Sequence, residues 1–290
     1  MSYLITRMLL GFFALFPLPT VHFLGGLVGR ALFWFPNQIR QVTRINVAHC
    51  FAEYTPAQQT QFVRNSLIET AKAIAETGPL WLWPSATCLQ LVTRISGLKQ
   101  LQTALRAGQG AIIAAPHMGA WELIGLYCST LHPMTILYRP PKVARLDSLM
   151  RHSRERLGTK LVATEIKGIR ALYDALGSGE LIGILPDQDP GFGQGRFAPF
   201  FGIPANTMVL LSRLAIKTKA PVFFAYAERL PHGQGYHLHF VQQEIAQTDL
   251  ATSVQLVNQA VEACVRSAPE QYQWGYKRFK TRPEGEQGFY

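Results

Sequence analysis

Residues 111–122 read Ala-Ile-Ile-Ala-Ala-Pro-His-Met-Gly-Ala-Trp-Glu. The five apolar residues 111–115 form a run too short for a helix and bounded by a breaker, so they read as a buried strand. Pro116 and Gly119 supply a turn, and a helical pattern follows over about 120–130. Strand, turn and helix in that order make the repeating unit of an α/β protein. Working outward, the apolar runs 134–138, 181–185 and 221–227 also read as buried strands. Helical patterns near 143–156, 167–176 and 206–217 alternate with them, and a late helix is expected over about 250–267. This alternation predicts an α/β fold with a mostly parallel central sheet flanked by helices. In such sheets ligands bind beyond the carboxyl ends of the strands, which is where His117 falls.

Upstream the character changes. Between Arg7 and Arg30, residues 8–29 contain no Asp, Glu, Lys or Arg. A helix of that length matches a hydrocarbon core of ~30 Å, but Pro17 and Pro19 interrupt the i→i−4 ladder. No small-residue cleavage site supports a signal peptide. Two short helices, about 3–16 and 20–35, are expected to meet at the Pro-Leu-Pro corner and lay Leu, Phe and Trp faces in the lipid interface. Arg7, Arg30, Arg40 and Arg44 then hold lipid headgroups. A buried hairpin and a spanning helix are the alternatives. Residues 37–95 read as helical, with a start at Thr55-Pro56, a periodic stretch through Glu76, an end at Gly78-Pro79, and an apolar patch around Trp81 and Trp83. The expected division is a membrane-associated segment 1–36, a helical appendage 37–95 and a catalytic unit 96–290.

Of the 290 residues, 48% are hydrophobic and only 16% charged, against roughly 25% charged in an average soluble chain. That balance excludes intrinsic disorder. Twenty-eight Lys and Arg against eighteen Asp and Glu leave +10, so an anionic partner is expected. No nucleic-acid reading module accompanies the charge, and nucleic acid is not expected. Cys50, Cys88, Cys128 and Cys264 are widely spaced, form no CxxC pair and assemble no zinc site; they read as buried thiols of a reducing compartment.

His117 and Glu122 are the candidate catalytic pair. Five residues apart on a regular helix, they point about 140° away from each other, so they meet only if His117 lies in the turn. An imidazole titrates near ~6.5 and accepts a proton at neutral pH. A carboxylate on one ring nitrogen sets the tautomer, frees the other nitrogen and stabilises the imidazolium, as in the His–Asp half of a protease triad. The proton then comes from a substrate hydroxyl. A strand-end histidine beside a glutamate that favours the helix dipole is the structural alternative.

The segment resembles the HX4D/E box of glycerolipid acyltransferases, and specifically the HX4E version of the bacterial lipid A biosynthesis (late, lauroyl/myristoyl-type) acyltransferases. Further stretches match that family in order: Tyr138-Arg139-Pro140; the basic run of Arg151, Arg154 and Arg156 ending at Gly158; and Leu185-Pro186-Asp187-Gln188. Phe197-Ala198-Pro199-Phe200-Phe201-Gly202 with Pro204 and Thr207 follows, then Gln271-Tyr272-Gln273-Trp274 and the segment 277–283. Arg40, Arg44 and Asn46 fit as well, so the resemblance spans essentially the whole chain. It implies an inner-membrane enzyme facing the cytoplasm that moves a fatty acyl chain from acyl carrier protein to a hydroxyl of an anionic lipid A precursor or related glycolipid. No metal or organic cofactor is implied. His117 corresponds to the family base and Glu122 to its partner. Arg139 and Arg154 correspond to positions that hold phosphate or developing negative charge, and Asp187 and Gln188 to a substrate-binding box.

The oxyanion of thioester attack needs fixed donors; Arg154, Arg139 and the backbone of the 191–195 turn are candidates. Lys277, Arg278, Lys280 and Arg282 form a candidate contact patch for the acidic carrier. An acyl-CoA donor acting on another membrane lipid, an Asp187-Gln188-Asp189 metal site of a glycosyltransferase, and a non-catalytic lipid-binding protein are the competing readings. The Gly191–Gly193–Gly195 spacing is not a dinucleotide fingerprint and reads as a mobile turn. His237 and His239 share one face of an apparent strand, with no third metal ligand evident in the sequence.

Overall fold

The structure, a computed structural model, describes residues 3–290. Five helices come first: α1 (Tyr3–Ala14), α2 (Leu18–Trp34), α3 (Gln38–Cys50), α4 (Pro56–Leu82) and α5 (Ser85–Gln90). The apolar stretch breaks between α1 and α2, with Pro17 as the N-cap of α2 and Pro19 in its first turn, where a missing N–H costs no intrahelical bond. Thr55 caps α4 through a reciprocal capping box with Gln58. Contrary to expectation, α4 runs through Gly78-Pro79 to Leu82. Gly78 is there for contact rather than termination, since a Cβ on it would lie 2.5 Å from the Leu10 carbonyl oxygen of α1. Gly25 and Gly29 do the same for α2, where added Cβ atoms would meet the Cα atoms of Lys72 and Ile68 at 2.9 and 2.4 Å. Both N-terminal helices therefore lie tightly on α4.

Their outer faces are apolar and uncovered. Leu15, Phe23 and Trp34 are 78%, 61% and 74% exposed, and Met8, Leu27 and Phe35 extend the same surface. No single described helix is long and apolar enough to cross a membrane; α2 and α3 form an apolar pair bent by 80°. Beneath this surface lies a buried ion network that gave no signal in the sequence. Glu76 of α4 accepts from Arg229 Nε and Nη2 at 2.9 and 2.5 Å, from the Tyr236 hydroxyl at 2.8 Å, and pairs with His22 Nε2 at 3.0 Å. Arg229 also reaches Glu69 at 2.6 Å.

The remaining elements alternate: β1 (Val92–Ser96), α6 (Leu98–Arg106), β2 (Ala111–Ala114), α7 (Trp121–Cys128), β3 (Met134–Tyr138), α8 (Ala144–Glu155), β4 (Lys160–Ala163), α9 (Ile166–Gly177) and β5 (Leu181–Ile184). A hairpin of β6 (Gly195–Phe200) and β7 (Ile203–Met208) follows, then α10 (Leu210–Thr218), β8 (Val222–Arg229), β9 (Tyr236–Gln243) and α11 (Leu250–Ser267). The seven-stranded sheet has the order β1-β9-β8-β2-β5-β3-β4. β9 is antiparallel to β8 while β1 is parallel to β9; the other neighbours are parallel. The α/β architecture with a mostly parallel sheet is thus the one expected. The helical pattern near 206–217 begins only at Leu210, because 203–208 pairs antiparallel with 195–200. The 191–195 turn is the lead-in to that hairpin.

Central strands β2 and β5 are fully buried on both faces. Val222, Phe224 and Tyr226 of β8 pack in one core with Val257 and Val261 of α11, and Phe223, Ala225 and Ala227 face a second core with Leu123 and Ile124 of α7. Phe51, Phe62 and Leu67 of the helical region share the first of these cores.

Candidate active site

β2 and β5 are parallel neighbours in register, with Ala114 opposite Ile184. Three residues beyond that pair on each strand stand His117 and Asp187. The His117 Nδ1 lies 2.8 Å from Asp187 Oδ1, and the His117 backbone N–H donates to Asp187 Oδ2 at 3.0 Å. The turn that holds the imidazole is fixed on the other side by β8 and the C-terminal segment. Gly119 has φ +54° and a Cβ there would lie 1.9 Å from the Ala227 oxygen, so only glycine fits. Ala120 N–H donates to Ala227, Gly119 N–H to Gln271 and Gln273 N–H to the His117 carbonyl. The Trp121 ring stands 5.6 Å from the imidazole centroid.

Glu122 does not pair with His117. The helix starts at Trp121, and from its first turn the Glu122 side chain faces α8. There it accepts from Arg154 Nε at 2.9 Å and Nη2 at 2.5 Å, a bidentate clamp. The carboxylate expected beside His117 is therefore held to Arg154, and the one that contacts the imidazole is Asp187. Asp187 itself is not among the residues that line the cavity beside His117. It is 3% exposed, and both its oxygens are engaged by His117.

The electrostatics follow from these pairs. Burial pushes the Asp187 carboxyl upward, but the His117 charge and its hydrogen bonds outweigh this and hold it below the usual carboxylate range. Glu122 behaves alike, with the Arg154 guanidinium overcoming burial. Both carboxylates are ionised at neutral pH. Asp187 accordingly accepts a hydrogen bond from Nδ1–H, the tautomer that turns Nε2 into the acceptor. Gln188 Nε2 stands 3.4 Å from that atom.

His117, Glu122, Arg154, Arg139 and Gln188 line one cavity of about 600 Å³. One wall of it is apolar, built from Ile113, Gly125, Leu126, Met134, Ile136 and Gly183. The two glycines widen it, since Cβ atoms there would press on Ile136 Cδ1 at 2.9 Å and Met134 Cε at 2.8 Å. Arg139 is exposed and makes no hydrogen bond or ion pair with the described residues. Arg156, by contrast, is occupied by the carbonyls of Leu80 and Trp83 at 2.8 Å each, at the end of α4.

Several sequence candidates leave the site. Asp189 is buried and satisfied by Gly191 N–H, Asn206 Nδ2 and Thr281 N–H at 2.8–2.9 Å. With Asp187 committed to His117, the Asp-Gln-Asp stretch offers no paired carboxylates to a metal. The Gly191 amide spent on Asp189 is no longer an oxyanion donor. Arg278 is 2% exposed and holds Asn206 and Thr207 oxygens at 2.7 and 2.8 Å, so it cannot join a carrier-contact patch. Lys280 remains exposed.

Comparison with known proteins finds relatives along most of the chain. The family profile described as bacterial lipid A biosynthesis acyltransferase matches residues 2–281. The chain is 28% identical over 279 residues to the lipid A biosynthesis palmitoleoyltransferase of Escherichia coli K12, covering 94% of this chain and 89% of that protein. It is 28% identical over 272 residues to the lauroyltransferase of the same organism, covering 93% and 88%. The myristoyltransferase is 26% identical over 250 residues, covering 85% and 77%.

Proposed function

We propose, from the premise that the chain belongs to the bacterial lipid A biosynthesis acyltransferase family, that it moves a fatty acyl chain from an acyl carrier protein thioester to a hydroxyl of an anionic lipid A precursor, with His117 as general base. The observation that carries this reading is the His117–Asp187 pair, whose imidazole lines a cavity that also has an apolar wall. The acyl chain lies along that wall, and its thioester carbonyl reaches His117. His117 Nε2 takes the proton of the acceptor hydroxyl as the oxygen attacks the carbonyl carbon. Asp187 stabilises the imidazolium that forms. The oxyanion develops within reach of the Arg154 guanidinium, which Glu122 holds in place. Collapse breaks the carbon–sulfur bond, and the imidazolium returns its proton to the leaving thiolate. No acyl-enzyme is required. Arg139, unpartnered at the mouth, takes acceptor phosphate.

The net charge of +10 supports an acidic carrier and an anionic acceptor together. The uncovered apolar faces of α1 and α2 support attachment to the inner membrane; four free, buried cysteines accord with its cytoplasmic side. The test supplies purified protein with acyl carrier protein thioesters or acyl-CoA and a glycolipid acceptor, and reads products by mass spectrometry. Transfer from the carrier thioester, lost by at least ~10²-fold in His117→Ala with lipid binding retained, is expected. Undiminished transfer by that variant removes the general-base assignment, and transfer from acyl-CoA alone removes the carrier.

A further inference from the structure

β8 and β9 form the antiparallel part of the sheet, and their register places Glu228 opposite His237 and Tyr226 opposite His239. Side chains at i and i+2 of a strand share a face, so both imidazoles and the Glu228 carboxylate converge. His239 Nε2 stands 3.0 Å from Glu228 Oε2, and His237 Nδ1 stands 3.9 Å from the same oxygen. The ligand atoms of all three residues lie within 4.8 Å of one another. None of the three lines the acyltransferase cavity. The third ligand that the sequence did not reveal is thus Glu228, brought in by strand pairing.

We infer that Glu228, His237 and His239 form a site for a divalent late first-row metal ion, of the zinc class, separate from the catalytic centre. Two imidazoles and a carboxylate are a recurrent donor set for such ions, with bonds of about 2.0–2.2 Å and a fourth position left to water. Three donors already 3–5 Å apart close onto one ion with small rotations. The supporting shell is present as well. Ser96 Oγ on β1 lies 2.8 Å from His237 Nε2, which turns Nδ1 toward the carboxylate. The Tyr226 ring stacks on His239 with centroids 4.4 Å apart and planes within 7°. The two imidazole centroids are only 3.8 Å apart, so the rings already stand side by side. A bound ion clips β8 to β9 directly and, through Ser96, secures the exposed edge strand β1.

The experiment titrates the full-length purified protein with Zn²⁺ by calorimetry and with Co²⁺ by visible absorption. One ion per chain is expected, with a Co²⁺ spectrum of nitrogen and oxygen coordination. Glu228→Gln and the double variant His237→Ala/His239→Ala should each weaken Zn²⁺ binding by more than ~10-fold, and Ser96→Ala by about 10-fold. His117→Ala should leave it unchanged. Zn²⁺ should raise the melting temperature of the wild type but not of Glu228→Gln, whose melting in chelator controls for folding. Absence of a stoichiometric ion in the wild type, or affinity unchanged in both ligand variants, overturns the assignment.

Discussion

His117 Nδ1 and Asp187 Oδ1 lie 2.8 Å apart although seventy residues separate them in the chain, whereas Glu122, five residues from His117, is clamped to Arg154. The first pair exists because β2 and β5 are parallel neighbours in register. The expected effects of substitution divide along the same line. Asp187→Asn removes the acceptor that holds the Nδ1 proton, and transfer should fall by ~10²–10⁴-fold with the fold intact. The measure is kcat/KM together with far-UV circular dichroism. Activity within a few-fold of wild type contradicts the pairing as a catalytic device.

Glu122→Gln acts differently, by loosening Arg154. Arg154→Lys should not restore function, because one ammonium cannot reproduce two parallel bonds to a carboxylate. Arg154→Ala leaves a carboxylate that is only 11% exposed without its partner. Melting should then drop, by several degrees for a loss of about 2–3 kcal/mol. Calorimetry on the single and double variants measures the coupling. Additive losses from Glu122→Gln and Arg154→Ala would mean that the two do not act as a unit.

Acid should expose the buried network. Burial raises the Glu76 pKa, but Arg229 and the other donors outweigh it and bring it from 4.5 to about 2. A folded-state pKa below the unfolded one contributes stability that is fully present above the unfolded value and lost as pH falls through the folded one. The contribution of Glu76 is therefore complete above about pH 5 and disappears between roughly pH 4.5 and 2, amounting to on the order of 3 kcal/mol. Denaturant unfolding at a series of pH values should show this slope, and Glu76→Gln should reduce it. An equal slope in both proteins rules out Glu76 as its source.

The apolar surface of α1 and α2 predicts membrane attachment through its exposed side chains. Deleting these helices is a poor test, because α4 would lose its glycine-mediated contacts and Glu76 would lose His22. Leu15→Glu, Phe23→Glu and Trp34→Glu change only exposed positions. Each should weaken co-sedimentation with anionic vesicles by about 10-fold and shift melting little. Unchanged partitioning of the triple variant places the membrane contact elsewhere.

Much of the molecule is legible along the chain. The 111–115 run, the Pro116–Gly119 turn, the alternation of strands and helices, and the break at Pro17 and Pro19 are local signals, written in side-chain period and backbone restriction. They suffice for an α/β class and for His117 at a strand exit. Local signals failed where a contact overrode them: Gly78-Pro79 looks like a helix end but serves the approach of α1.

Partners were decided only in three dimensions. Strand order is set by which apolar faces bury together, and no period in residues 111–122 says that β5 will lie beside β2. That pairing chose Asp187 over Glu122 for the imidazole, just as the β8–β9 pairing set Glu228 against His237 and His239. Burial likewise assigned the arginines: Arg154 to the cavity, Arg229 to Glu76, and Arg278 to the interior. A charge in the sequence is the same letter in all three cases; the neighbours supplied by folding determine whether it binds, braces or is neutralised.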